Sequence, residues 1–122
     1  MIFRKSLLAV AAMTALLGSA AAIAGDADFT LVNKTGYTIR EIYISPTAKS
    51  AWGNDRMGNN NLENNKSRLF KFSDKANCDQ DLKVVFESGD QEVIWENIDL
   101  CQINKISVKY DKASKTVSAD SE

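Results

Sequence analysis

Hydrophobic and polar positions along the chain alternate with a period of two in short runs, and no stretch after the N-terminal segment sustains the 3.6-residue period of an amphipathic helix. Residues 104–110 are the clearest case: Ile106, Val108 and Tyr110 share one face, while Lys105, Ser107 and Lys109 share the other. Leu82, Val84 and Phe86 alternate with Lys83 and Glu87, and Phe70 and Phe72 alternate with Leu69 and Lys71. Residues 29–46 read as a strand, a tight turn at Asn33-Lys34-Thr35-Gly36, and a longer strand. Asn tolerates a left-handed backbone and Gly adopts one without a Cβ clash, so the pattern predicts a hairpin against which later strands are laid. Along this stretch Phe29 pairs in phase with Leu31, Tyr37 with Ile39, and Ile42 with Ile44. The change of phase at Arg40-Glu41 predicts either a β-bulge or a second half buried on both faces. Residues 116–119 supply a weak last strand that pairs back through a turn at 111–115. Short strands separated by turn residues about every 8 to 12 positions predict an all-β domain, an antiparallel β-sandwich or small barrel of about seven strands.

The two cysteines, Cys78 and Cys101, belong to a second predicted hairpin. Residues 80–88 and 91–99 flank Gly89-Asp90, a Gly-first pair suited to a two-residue type II′ turn. That register sets Phe86 beside Val93, Val84 beside Trp95 and Lys83 beside Glu96, and extends to put Cys78 opposite Cys101 within reach of a disulfide. Glu87 would oppose Glu92, an unfavourable pair that a three-residue turn would remove by shifting the register by one.

Residues 1–24 read as a signal peptide. Arg4 and Lys5 precede an apolar run at 7–17, and Ala22-Ile23-Ala24 supplies a small-x-small cleavage pattern, with Ala20-Ala21-Ala22 as a second option. The expected mature domain, 25–122, is long enough for one core. Losing Arg4 and Lys5 takes the basic count from 15 to 13 against 16 acids, a formal charge of about −3. That balance argues against a nucleic-acid binder, which carries a basic surplus on one face. The apolar run is too short for a retained membrane span, so the expectation is a periplasmic or secreted monomer. An even cysteine count fits that oxidising compartment.

Residues 47–66 interrupt the strand rhythm. They hold Asn59, Asn60, Asn61, Asn64 and Asn65, with Trp52, Met57 and Leu62 as hydrophobic anchors that argue for a loop folded back on the body. Trp52 and Arg56, with Asp55 between them in the same turn, are candidate binding residues, because Trp and Arg anchor interfaces; the alternative is that Trp52 plugs one end of the sandwich. Asp55, Asn59, Asn61 and Glu63 offer oxygen donors at alternating spacing that suits calcium, although the run lacks the acid density and glycine placement of an EF-hand. Trp95, in phase with Val93, reads as core. Asn33-Lys34-Thr35 and Asn65-Lys66-Ser67 match the three-residue glycosylation pattern.

The chain contains no histidine, which removes the commonest general base and transition-metal ligand. Serines have no such base to activate them, neither cysteine is spare, and acidic pairs such as Asp79 and Asp81 or Glu92 and Glu96 are those of alternating solvent faces. The expectation is therefore a non-enzyme without cofactor.

The run N-K-T-G-Y-T-I-R-E-I-Y-I-S-P from Asn33, Trp52-Gly53 followed by Asp55, and W-E-N-I-D-L-C from Trp95 together resemble a family of small, exported, largely uncharacterised bacterial proteins. Members are similar around a Trp-Gly-x-Asp-x-Leu-Gly segment, in which Met57 here replaces Leu and the surroundings are richer in Asn and poorer in acid. Some members carry the label argininosuccinate lyase. That chemistry belongs to much larger helical enzymes, and this chain has neither the length nor the catalytic histidine. The resemblance implies an exported β-protein and leaves the activity open. The expected function is that of a non-catalytic binding protein contacting a protein or envelope component through the 47–66 loop or a sheet edge. The alternatives are a calcium-binding module and a small inhibitor of a hydrolase or toxin.

Overall fold

The computed structural model describes residues 26–122, so the signal peptide and its cleavage site lie outside the described residues. Among the described residues there are seven strands: β1 (Phe29–Lys34), β2 (Ile39–Pro46), β3 (Ser67–Phe70), β4 (Asp79–Phe86), β5 (Glu92–Asp99), β6 (Lys105–Asp111) and β7 (Thr116–Ser121). They form a four-stranded sheet ordered β3-β1-β6-β7 and a three-stranded sheet ordered β2-β4-β5. Neither sheet closes on itself, so of the two expected architectures the chain adopts the sandwich. Every pairing is antiparallel except that of β1 with β6. No helix among the described residues is long and apolar enough to cross a membrane.

The core lies between the sheets and follows the alternation of each strand. Phe29 and Leu31 of β1, Ile42 and Ile44 of β2, Leu82, Val84 and Phe86 of β4, and Ile106 and Val108 of β6 are all buried. Each such side chain contributes roughly 1.5–3 kcal/mol on leaving water. Phe29 stacks on Phe70 and Phe72 with ring centroids 5.6 and 6.3 Å away, which seats β3 and the segment after it. Trp95 is half-buried against this core, on the face the alternation assigns it.

The first predicted hairpin does not form. β1 and β2 belong to different sheets, and residues 35–38 are an arch between them. β1 is paired on both edges, with β3 and with β6, so it has no edge left for β2. Asn33 does not act through a left-handed backbone; the positive φ falls at Gly36, at 87°. Asn33 is instead 0% exposed and acts through its amide. Its Nδ2 donates to the carbonyls of Tyr37 and Leu62 at 2.7 and 2.9 Å, while its Oδ1 accepts from the N–H and hydroxyl of Thr35 at 3.0 and 2.7 Å. These bonds satisfy the backbone where it leaves one sheet for the other, a place with no ladder partners.

The phase change in β2 is a bulge: the register with β4 jumps between Ile39 and Glu41. The β4–β5 hairpin is present with a different register. Val84 faces Val93, Lys83 faces Ile94 and Leu82 faces Trp95, two residues away from the predicted pairing. The cause is a longer connection, closed by a bond from Phe86 N–H to the Gln91 carbonyl at 2.8 Å, with a turn of 3₁₀ helix at Ser88–Asp90 and positive φ at both Gly89 and Asp90. Glu92 then faces Val85 rather than Glu87. A second irregularity between Gln80 and Leu82 shifts the pairing back by one, so that Asp79 faces Asp99. The short 3₁₀ turn Leu100–Gln102 supplies the rest. Cys78 and Cys101 meet as expected, bonded, with Cα atoms 5.2 Å apart.

Candidate functional site

The 47–66 loop folds back along the outer edge of β2. Asp55 Oδ1 accepts from the backbone N–H groups of Ile42 and Met57 at 3.0 and 2.9 Å, and Arg56 N–H donates to the Ile42 carbonyl at 2.7 Å. Further along, Leu62 and Ile39 exchange two backbone bonds of 2.8 and 2.9 Å. Met57 and Leu62 are buried in the core and anchor the loop from within. The edge of the three-stranded sheet at β2 is therefore closed by the chain itself.

The three candidate binding residues line one concavity of about 420 Å³ beside β2, but each is engaged differently. Asp55 is an internal cap for two orphan N–H groups. Arg56 is tied down, with Nη2 donating to the Ile44 carbonyl at 3.3 Å and the guanidinium 5.0 Å from the centre of the Phe72 ring. Burial there lowers the Arg56 pKa from its ordinary value. Arg56 nonetheless remains exposed at the surface, and Trp52 lies over the outer face of the sheet. It is half-buried, and its ring lies 5.3 Å from the Lys83 ammonium, which is 4.6 Å from the Tyr43 ring.

Lys83 is the centre of the outer face of the β2-β4-β5 sheet. Its cross-strand neighbours are Tyr43 on β2 and Ile94 on β5, the latter 46% exposed. The alternation of the strands carries Glu41, Asp81, Glu92 and Glu96 to the same face, around this row. The Tyr43 hydroxyl donates to Glu41 Oε1 at 2.7 Å, and that bond, helped by desolvation and the charge of Glu41, raises the phenol from 10 to about 12. A shallow concavity of about 210 Å³ opens between the loop and this face, lined by Lys49, Trp52, Ser45, Asp81, Ile94 and Glu96. Asp81 shapes its floor by accepting from Thr47 Oγ1 and from Asn97 N–H, both at 2.9 Å.

Of the calcium candidates, Asp55 is engaged as described, Asn61 donates to Glu87 Oε2 at 3.3 Å, and Asn59 and Glu63 are exposed on the loop surface. Among the described residues, the one cluster of three acidic or sulfur side chains close enough to share an ion is Cys78, Asp99 and Cys101, and its two sulfurs are bonded to each other. Of the two glycosylation patterns, Asn33 has its amide fully engaged inside the fold, whereas Asn65 is exposed.

Two features of this surface escape a linear reading. The row of Tyr43, Lys83 and Ile94 spans three strands, and its signal was the outward phase of each strand, where an aromatic or aliphatic residue stands among charges. A second concavity, of about 250 Å³, lies between the 35–38 arch and the β4–β5 turn and is bordered by Tyr37 and Tyr110. Those tyrosines are far apart in sequence and meet only across the two sheets, edge to face at 5.6 Å.

No protein-family model matches the chain, and a search of curated proteins finds no match. Among solved structures the fold is similar to the NMR structure of a protein from Eubacterium rectale, at 16% identity and a TM-score of 0.58, over 83% of this chain and 90% of that one. At that identity the likeness establishes a shared fold.

Proposed function

We propose that the protein is an exported, non-catalytic binding module that holds a protein or envelope component against the outer face of its three-stranded sheet. The observation that carries this reading is the row Tyr43, Lys83 and Ile94 overhung by Trp52, an aromatic and aliphatic strip left uncovered inside a carboxylate rim. Interfaces concentrate Trp and Tyr at their centre and place charges at the periphery. Lys83 is held between two rings and presents a positive charge among Glu41, Asp81, Glu92 and Glu96, so a partner carrying a basic rim and an acidic contact suits the surface.

Export is supported by the disulfide, a bond maintained in oxidising compartments, and by the signal-peptide pattern of residues 1–24. A binding rather than catalytic activity is supported by the lack of histidine and by the pairing of both thiols. The test is affinity capture by the purified protein from envelope extract and culture fluid, with Trp52→Ala and Ile94→Asn variants alongside. Capture of one partner that both variants lose, at an unfolding midpoint showing that they still fold, is the expected result. Capture that survives both substitutions places the interface elsewhere and overturns the reading.

A further inference from the structure

At the end of the sandwich away from the disulfide, the concavity between Tyr37 and Tyr110 has the chemistry of a ligand site that is independent of the Trp52 face. The geometry points to a binding site for a neutral saccharide, one pyranose ring deep, between the 35–38 arch and the β4–β5 turn. Its volume of about 250 Å³ falls just under the range of roughly 300–1,000 Å³ typical of drug-sized ligands, which suits a single ring. Its lining combines apolar walls from Phe86 and Val117 with the two tyrosines and the polar side chains of Ser88 and Gln91. None of these carries a formal charge at neutral pH. Of the carboxylates next to these residues in sequence, Asp90 is paired with Arg40, Glu87 accepts from Asn61 Nδ2 and Asp111 accepts from the Ala113 N–H, while Glu92 belongs to the outer face of the three-stranded sheet.

An uncharged lining has nothing to offset the desolvation of an ionic ligand, so phosphates, carboxylates and amines are disfavoured. A sugar ring matches it instead, with C–H faces for the aromatic surfaces and hydroxyls for Ser88 and Gln91. No hydrogen bond among the described residues engages either phenol hydroxyl or the side chains of Ser88 and Gln91.

The site is also held in advance of binding. Tyr37 is 44% exposed, yet its backbone is fixed from both sides: its carbonyl accepts from Asn33 Nδ2 at 2.7 Å, and its N–H donates to Thr35 Oγ1 at 3.1 Å. The buried Asn33 network that makes the arch therefore also sets the position of one wall, and a wall fixed before binding lowers the ordering cost.

The test is a heteronuclear NMR titration of the isotope-labelled protein with four methyl pyranosides, those of glucose, galactose, mannose and N-acetylglucosamine, to tens of millimolar. A proline-rich peptide, the other common occupant of tyrosine-lined clefts, forms a parallel arm. The expected result is saturable shifts at Tyr37, Gln91 and Tyr110 with at least one sugar, weakened about tenfold or more by Tyr110→Ala and by Gln91→Ala and unchanged by Trp52→Ala. If Tyr110→Ala fails to fold, the exposed Gln91→Ala decides. Silence with all four sugars, shifts that map away from the cleft, cleft shifts with the peptide alone, or affinity unaltered by Gln91→Ala overturns the inference. Because Trp52 takes no part, loss of the proposed interface and loss of sugar binding are separate outcomes.

Discussion

Single side chains in this protein do work that backbone ladders do elsewhere. Asn33 bonds to the backbone where the chain leaves β1 and Asp55 to that of the β2 edge and the covering loop, and each looks in sequence like an ordinary turn residue. Residue type alone told that these positions lie at breaks in the strands. It did not tell that Asn33 would be buried, or that Asp55 would be spent on two N–H groups rather than offered to calcium, because that depends on what the fold packs against them. Tyr43 allows a direct check of the outer face. Its phenol donates to Glu41, and both that bond and the negative charge oppose the phenolate, so ionisation is displaced from 10 to about 12. The folded pKa lies above the unfolded value, so the stability linked to this bond is complete below pH 10 and lost as pH rises through about 12. Spectrophotometric titration should show one late-ionising tyrosine, and Glu41→Ala should return it toward 10.

At the level of elements, the β4–β5 hairpin shows which kinds of information are local. Alternation located both strands, and the cysteines are paired as their spacing predicted. The register between them was wrong by two at Val84, because a Gly-Asp pair is compatible with more than one turn length. Two later irregularities, near Asp81 and at Leu100–Gln102, restore the offset before the cysteines. Side-chain parity survived, since a shift of two keeps Leu82, Val84 and Phe86 on the inner face. Reducing the disulfide should lower unfolding free energy by roughly 3 kcal/mol, read as a fall in the urea midpoint. Alkylation of the native protein before reduction should leave its intact mass unchanged.

For the whole molecule, the management of sheet edges is the governing fact. β2 would present an open edge to other chains were it not covered by residues 55–62, with Met57 and Leu62 as anchors and Asp55 as the clasp. Replacing residues 49–61 by a short Gly-Ser linker should expose that edge and produce concentration-dependent self-association, measured by light scattering on a variant whose far-UV spectrum remains β-rich. The loop's return to the body was legible from its spaced Trp52, Met57 and Leu62. The edge it covers was not, since that edge exists only once β2 has joined the sheet opposite β1.

The sequence by itself determined the all-β class, the number and inner faces of the strands, the place of the phase change near Arg40 and the cysteine pair, because each depends on period, parity or short-range spacing. The tertiary structure alone decided that β1 and β2 part into different sheets, that β1 runs parallel to β6, and that Tyr37 meets Tyr110 while Trp52 meets Lys83. Those outcomes depend on competition among strands for edges and on packing between residues distant in the chain, and neither leaves a mark in local pattern.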